Sequence, residues 1–254
     1  MARKTIPAWS PSLLQVYEEC PRRARFRAVD RIPEPERPPL PNGQEYPNDR
    51  GIRIHDDAEK VIRREQSITR ELKPFEEDFY ALQDIYEDGD AIVEELWCFD
   101  EDWNIVQPIN GKHQWHKHWA RIKIDTLAFI EPGHAVTIDY KTGKRVGNEI
   151  KHGDQIMIYA IAVLLLYPEV EHVTVELWYI DQEEIETKTY TREQAMRFLP
   201  RIERRGVTTT TDTQFEPDPS KHNCRFCPYK TGLIGKLGPE GTGHCSENLK
   251  VEKK

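Results

Sequence analysis

The chain has 254 residues, 31% of them Asp, Glu, Lys or Arg, and a formal net charge of −8, which is length enough for one sizeable core. That acidic balance argues against non-specific coating of nucleic acid, whose affinity rests on neutralising phosphates, so any such contact must use a local basic track. No apolar run reaches membrane-spanning length, the longest (156–166) being interrupted by Tyr159, and the N-terminus carries no apolar signal region; a soluble, cytoplasmic protein with no membrane partner is expected.

Ser10 followed by Pro11 is an N-cap and first-turn signal, and Leu13, Leu14, Tyr17 and Cys20 recur at helical spacing until Pro21, predicting a helix over 11–20. Arg22, Arg23, Arg25 and Arg27 follow it. Pro33, Pro35, Pro38, Pro39, Pro41 and Pro47 remove backbone donors and predict a loop over 33–49. Helical periodicity resumes over 51–66 through Ile54, Ala58, Val61 and Ile62, and over 74–87 through Phe75, Phe79, Leu82 and Ile85. Strands are predicted at 92–99, 118–130 and 135–141, then a loop from Gly143 to Gly153. Residues 154–167 hold no Gly or Pro and suit a helix packed on a sheet. Residues 173–180 and 185–190 read as a strand pair. Thr191-Arg-Glu-Gln194 opens a helix toward Arg205, disturbed at Pro200. Thr208–Thr211 and Glu216–Ser220 form a connector to a cysteine-containing segment. The succession predicts an α/β fold, a central mixed sheet flanked by helices, with a main domain over 1–206 and an extension over 207–254 packed on the N-terminal helix.

The predicted strands carry the chemistry. Arg121-Ile-Lys-Ile-Asp125 precedes a Pro132-Gly133 turn, and Asp139-Tyr-Lys141 follows it. Residues two apart on a strand share a face, so Asp139 and Lys141 project together, and a hairpin can set Asp125 across from Asp139. Two carboxylates make a hard-oxygen site suited to Mg²⁺ or Mn²⁺, and the Tyr140 backbone carbonyl offers a further oxygen. Taken alone, Asp-x-Lys on a strand is ordinary surface. Lys141, Lys144 and Arg145 form the basic cluster nearest these carboxylates.

Four companions in fixed order extend the pattern: His55 within Gly51-Ile-Arg-Ile-His55, the acidic pair Glu94 and Glu95, Gln155-Ile-Met-Ile-Tyr159, and the opening Ser10-Pro-Ser-Leu-Leu-Gln-Val-Tyr-Glu-Glu-Cys20-Pro21. Together they resemble the PD-(D/E)xK nuclease superfamily, in particular its branch of RecB-type helicase–nuclease domains and CRISPR-associated adaptation nucleases, over roughly residues 9–229; Ile124 stands where a proline would precede Asp125. The resemblance implies a restriction-endonuclease-like core. It implies His55, Asp125 and Asp139 as metal ligands, joined by Glu95 as the acidic residue of the 92–99 strand. It further implies Lys141 as the residue that polarises the attacking water, with Gln155 and Tyr159 approaching Lys141 or the nucleic acid. Core packing is an equal expectation for Tyr159.

Cys224-Arg-Phe-Cys227 has metal-ligand spacing, and Cys245 can add a third thiolate. Cys20 sits where relatives place the first ligand of a 4Fe-4S cluster, so the resemblance implies Cys20, Cys224, Cys227 and Cys245 as its ligands. Zinc, with His222 or His244 replacing a thiolate, and no metal at all are the alternatives. Cys98 reads as a small buried hydrophobe. Trp103, Trp115 and Trp119 can stack bases or pack the core. The function expected is a metal-dependent exonuclease on single-stranded or resected DNA ends in recombination, repair or phage DNA metabolism, with a helicase or recombination partner. A structure-specific endonuclease, a catalytically silent scaffold of the same fold and a zinc-binding interaction module are the competing readings.

Overall fold

The structure, a computed structural model, describes residues 4–40, 43–143, 145–235 and 238–252; Lys144 lies outside the described residues. The chain forms two compact units. One holds the sheet and comprises Glu45–Gln107 and Arg121–Ile202; the other gathers the described residues of Met1–Gln44, Pro108–Ala120 and Glu203–Lys254 and contains four of the cysteines.

In chain order the elements are α1 (Pro11–Glu19), α2 (Pro21–Ala28), α3 (Pro47–Ile62), α4 (Glu76–Glu87), β1 (Ala91–Phe99), β2 (Ala120–Glu131), β3 (His134–Lys141), α5 (Glu149–Leu166), β4 (His172–Tyr179), β5 (Glu184–Thr191), α6 (Arg192–Met196), α7 (Leu199–Thr211), α8 (Lys221–Arg225) and α9 (Asn248–Glu252). The strands form one sheet in the order β1-β2-β3-β4-β5. β2 and β3 make the predicted antiparallel hairpin, closed by Gly133 at φ +79°. β3 and β4 pair in parallel, and α5 supplies the crossover that a parallel pair requires. No described helix is long and apolar enough to cross a membrane.

Strand alternation distributes the core. Ile138 and Tyr140 of β3 join Ile54, Val61, Phe79 and Trp178 in one apolar cluster with α3 and α4. Asp139, between them, faces the other way and meets Gln155 of α5. α5 is buried through Ile156–Leu164, as an all-apolar helix must be.

Several boundaries depart from the sequence reading. Pro21 does not close a helix region; it occupies the first turn of α2, where a missing N–H costs nothing. α3 likewise starts at Pro47, inside the stretch expected to be loop. α5 begins at Glu149, so the expected loop is shorter and Gly153 lies within the helix. The predicted 191–205 helix is two: the capping box at Thr191 opens α6, and α7 restarts near Pro200. Thr208–Thr211 are helical, and their hydroxyls, which could compete with the helix, bond back to the carbonyls of Arg204, Arg205, Gly206 and Val207.

In the cysteine unit, Ser10 caps α1 through Leu13 N–H, and Ile6, Val16, Tyr17, Ala24 and Phe215 form an apolar cluster. Tyr17 Oη donates to Asp212 Oδ2 at 2.8 Å, and Asn223 Nδ2 donates to the Glu19 carbonyl at 2.7 Å. The C-terminal cysteine segment and the N-terminal helix therefore belong to one packed body. Trp119 is buried edge-on against Trp9 at 5.5 Å, and a Cβ at Gly206 would come within 2.5 Å of Trp9 Nε1. Trp119 thus packs the interior and is no stacking platform.

Candidate active site

The candidate site forms at the end of the β2–β3 ladder in the sheet unit. The ladder's register starts at Thr126–Ile138, so Asp125 and Asp139 occupy the next step at its open end. Both are buried, at 7% and 1% exposure, and they act electrostatically on one another. Burial of that depth is costly for a carboxylate without a compensating cation or donors.

His55 projects from α3 into this end. Its Nδ1 lies 3.2 Å from Asp125 Oδ1 and 3.9 Å from Glu94 Oε1, and its Nε2 lies 2.9 Å from the Tyr140 carbonyl oxygen. One ligand atom each from His55, Glu94 and Asp125 fall within 4.8 Å of one another. Asp125 Oδ2 and Glu94 Oε1 are buried with no hydrogen-bond partner. Orphaned carboxylate oxygens converging beside an imidazole are the donor set a divalent cation takes, so the residues present fit such an ion.

The acidic residue of β1 at this site is Glu94, a correction to the expectation of Glu95. Val93 packs in the α3/α4 cluster, whereas Trp97 packs on Tyr167 beyond α5. Residues four apart on a regular strand would share a face. The alternation is broken at Glu94, whose φ is +55°, and the kink turns its carboxylate toward His55 while Glu95 is left exposed. Glu94 also pairs with Lys123.

On the α5 side, Lys141 Nζ lies 2.5 Å from Asp139 Oδ2 and donates to Gln155 Oε1 at 2.9 Å. Gln155 Nε2 donates to Tyr159 Oη at 2.6 Å and to Asp139 Oδ1 at 3.3 Å. Tyr159 is buried at 4% exposure and reaches Lys141 through Gln155. The structure therefore brings His55, Asp125, Asp139, Lys141, Gln155, Tyr159 and the Tyr140 carbonyl together and leaves Glu95 out. Burial alone would pull the His55 pKa down; the hydrogen bond to Asp125 and the charges of Asp125, Asp139 and Glu94 outweigh it and raise it to about 9. Burial raises the Asp125 pKa, with Asp139 and Glu94 adding to it and His55 opposing. Asp139 and Glu94 act in the same direction on both groups, favouring a proton on each.

Cys20, Cys224, Cys227 and Cys245 line one cavity of the cysteine unit, together with Arg23 and the buried Lys230. No disulfide joins them. Burial raises the Cys224 and Cys227 thiol pKa values, and Cys245 and Cys20 push them the same way. Cys98 is buried, as expected.

Sequence reasoning did not single out His152, three residues before Gln155 on α5 and bonded to Tyr179; helical spacing alone would have placed it on the Gln155 face.

The family model of the PD-(D/E)XK nuclease superfamily matches residues 8–231. Among solved structures, SSO0001 is 15% identical, with 87% of this chain and 83% of that chain covered and a TM-score of 0.42. A candidate exonuclease from Eubacterium rectale is 15% identical over 84% of each chain, also with a TM-score of 0.42. No curated protein matches.

Proposed function

The chain belongs to the PD-(D/E)XK nuclease superfamily, and from that premise we propose that it is a deoxyribonuclease dependent on Mg²⁺ or Mn²⁺, an exonuclease hydrolysing phosphodiester bonds at single-stranded or resected DNA ends. The observation that carries this reading is the pair of unpartnered buried oxygens on Glu94 and Asp125 next to Asp139 and the Lys141 ammonium.

Glu94, Asp125 and Asp139, with His55, would hold the cation. When bound, it supplies a Lewis acid for the phosphate and lowers the pKa of a water molecule. Lys141 is oriented before substrate arrives, because Asp139 and Gln155 hold its Nζ. From there its charge offsets the negative charge that grows on the phosphate during attack. Gln155 is itself fixed by the Tyr159 hydroxyl, so the buried tyrosine acts through the amide on the ammonium. His55 ties α3 to the β3 backbone at Tyr140 and keeps the Asp125 carboxylate in place.

The order of His55, Asp125, Asp139-Tyr-Lys141, Gln155 and Tyr159 supports the RecB-type branch, and with it a role beside a helicase or recombination partner in repair, recombination or phage DNA metabolism. The common cavity of Cys20, Cys224, Cys227 and Cys245 supports a 4Fe-4S cluster, with zinc as the alternative, and Lys230 and Arg23 supply positive charge to thiolates there. Such a group would staple α1 to the C-terminal segment.

The test is to incubate end-labelled single- and double-stranded DNA with the wild type, Asp139→Ala and Lys141→Ala in Mg²⁺, Mn²⁺ or EDTA. Shortening from an end by the wild type with metal only is expected, with Lys141→Ala slower by about a hundred- to a thousandfold while DNA binding is retained. Cleavage that ignores EDTA and both substitutions overturns the reading.

A further inference from the structure

The reaction as read above leaves one ring beside Lys141 unused. His152 shares the α5 face of Gln155, the face that meets Lys141 and Asp139. Its Nδ1 lies 3.0 Å from Tyr179 Oη. Tyr179 is the residue paired with Lys141 in the parallel β3–β4 ladder, and residues paired across a ladder point to the same face. Asp139, Lys141, Gln155, Tyr179 and His152 therefore gather at the carboxyl ends of two parallel strands, where open α/β sheets take their ligands. Arg145 adds a guanidinium 5.7 Å above the Tyr179 ring, itself paired with Glu184 and Glu186.

The Tyr179 contact occupies Nδ1 of His152 and leaves Nε2 as the nitrogen open to a ligand. The tyrosine ring is buried and its hydroxyl meets Nδ1. With that hydroxyl donating, Nδ1 is the acceptor and the proton of the neutral imidazole sits on Nε2. Nε2 has no partner among the described residues, and His152 is half-exposed. Burial first, and then the Lys141 charge, push the His152 pKa down, which keeps the ring neutral. A neutral N–H donor next to a committed ammonium can hold a phosphate oxygen without repelling Lys141.

Resting on the nuclease reading, we propose that His152, its Nδ1 held by Tyr179, binds through Nε2–H the phosphate next to the scissile one and so registers the strand over Lys141. His152 is a substrate-binding residue in this account and Tyr179 a positioning residue.

Single-turnover cleavage tests it, using the wild type, His152→Ala, His152→Gln and Tyr179→Phe. The substrates are an unmodified strand and two strands carrying one uncharged methylphosphonate on either side of the bond cut. His152→Ala is expected to raise the half-saturating DNA concentration about tenfold, the worth of one hydrogen bond to a charged group, while the saturated rate stays within about threefold. His152→Gln, whose amide N–H can reach the Nε2 position, should recover most of the loss. One methylphosphonate should cost the wild type the same factor and cost His152→Ala nothing further. Should His152→Ala fail to fold, Tyr179→Phe keeps the imidazole and should show a smaller loss of the same kind. Wild-type affinity in both variants, or an equal methylphosphonate penalty in wild type and variant at both positions, overturns the assignment of His152 alone. A wild type that cuts no DNA overturns the nuclease reading and this assignment with it.

Discussion

Asp125, Asp139 and Lys141 stand on neighbouring strands of one sheet, whereas Cys20, Cys224, Cys227 and Cys245 are carried by a helix junction, a five-residue helix and irregular chain. The first set is positioned by backbone periodicity: a residue's place in β3 decides which face it occupies, and Asp139 and Lys141 meet because they are two apart. The second set converges only because distant segments fold into one unit, with Cys20 separated from the others by nearly the whole chain. A site built on regular strands is held by the sheet itself. A site built on helix ends and loops is held by the packing between those segments.

That contrast can be broken at the cysteines first. If a bound metal organises them, Cys227→Ser should lose the metal and destabilise the cysteine unit by more than about 4 kcal/mol, the range reached when a structural metal is lost. Thermal unfolding and metal analysis of anaerobically purified protein check this: iron with sulfide and broad visible absorbance, or zinc, against a colourless, metal-free wild type of unchanged stability, which would leave the cysteines as packing.

At the carboxylate site the expected effects are smaller and specific to position. Glu94→Gln should raise the Mg²⁺ or Mn²⁺ concentration needed for cleavage by about ten- to a hundredfold, as loss of a ligating or supporting carboxylate does. Glu95→Gln, one residue away, should change it by less than about twofold, because exposed substitutions remote from a site cost little. Equal effects would mean that the kink at Glu94 does not orient β1 as described.

Much of this was legible in the sequence. The hairpin, the two-residue spacing of Asp139 and Lys141 and the four-residue spacing of Gln155 and Tyr159 follow from strand and helix periods, and the structure joins these residues in one network. Glu94 was not legible, because a left-handed residue inside a strand reverses the alternation without any glycine to signal it. The start of α2 was missed for a different reason: Pro21 can end one helix or open the next, and only the packing of Ala24 with Val16 and Phe215 decides between them. α7 ran further than expected because its last turns pack into the interior, Gly206 against Trp9 and Trp119 with Thr209 buried, which a run of threonines does not signal.

The smallest expected effect lies in the cysteine unit. Burial raises the Asp212 pKa, but hydrogen bonds from the Phe215, Gln214 and Thr213 backbone and from Tyr17 outweigh it and hold it below the usual aspartate range. A carboxylate depressed on folding stabilises fully above its unfolded pKa and loses that contribution as the pH falls through the folded one. Asp212→Asn should therefore cost about 1 kcal/mol at neutral pH, and the difference from wild type should shrink as the pH falls below the ordinary aspartate pKa of about 3.9. Denaturant unfolding at neutral and strongly acid pH measures it; a difference that grows in acid would reverse the assigned sign.

The central claim is that the buried carboxylates form a cation site, and calorimetric titration of Mn²⁺ into the wild type and Asp125→Asn, without DNA, tests it most directly. Saturable binding by the wild type that releases protons from His55 and is lost in Asp125→Asn is the expected result. Equal binding by both proteins, or none by either, would contradict it.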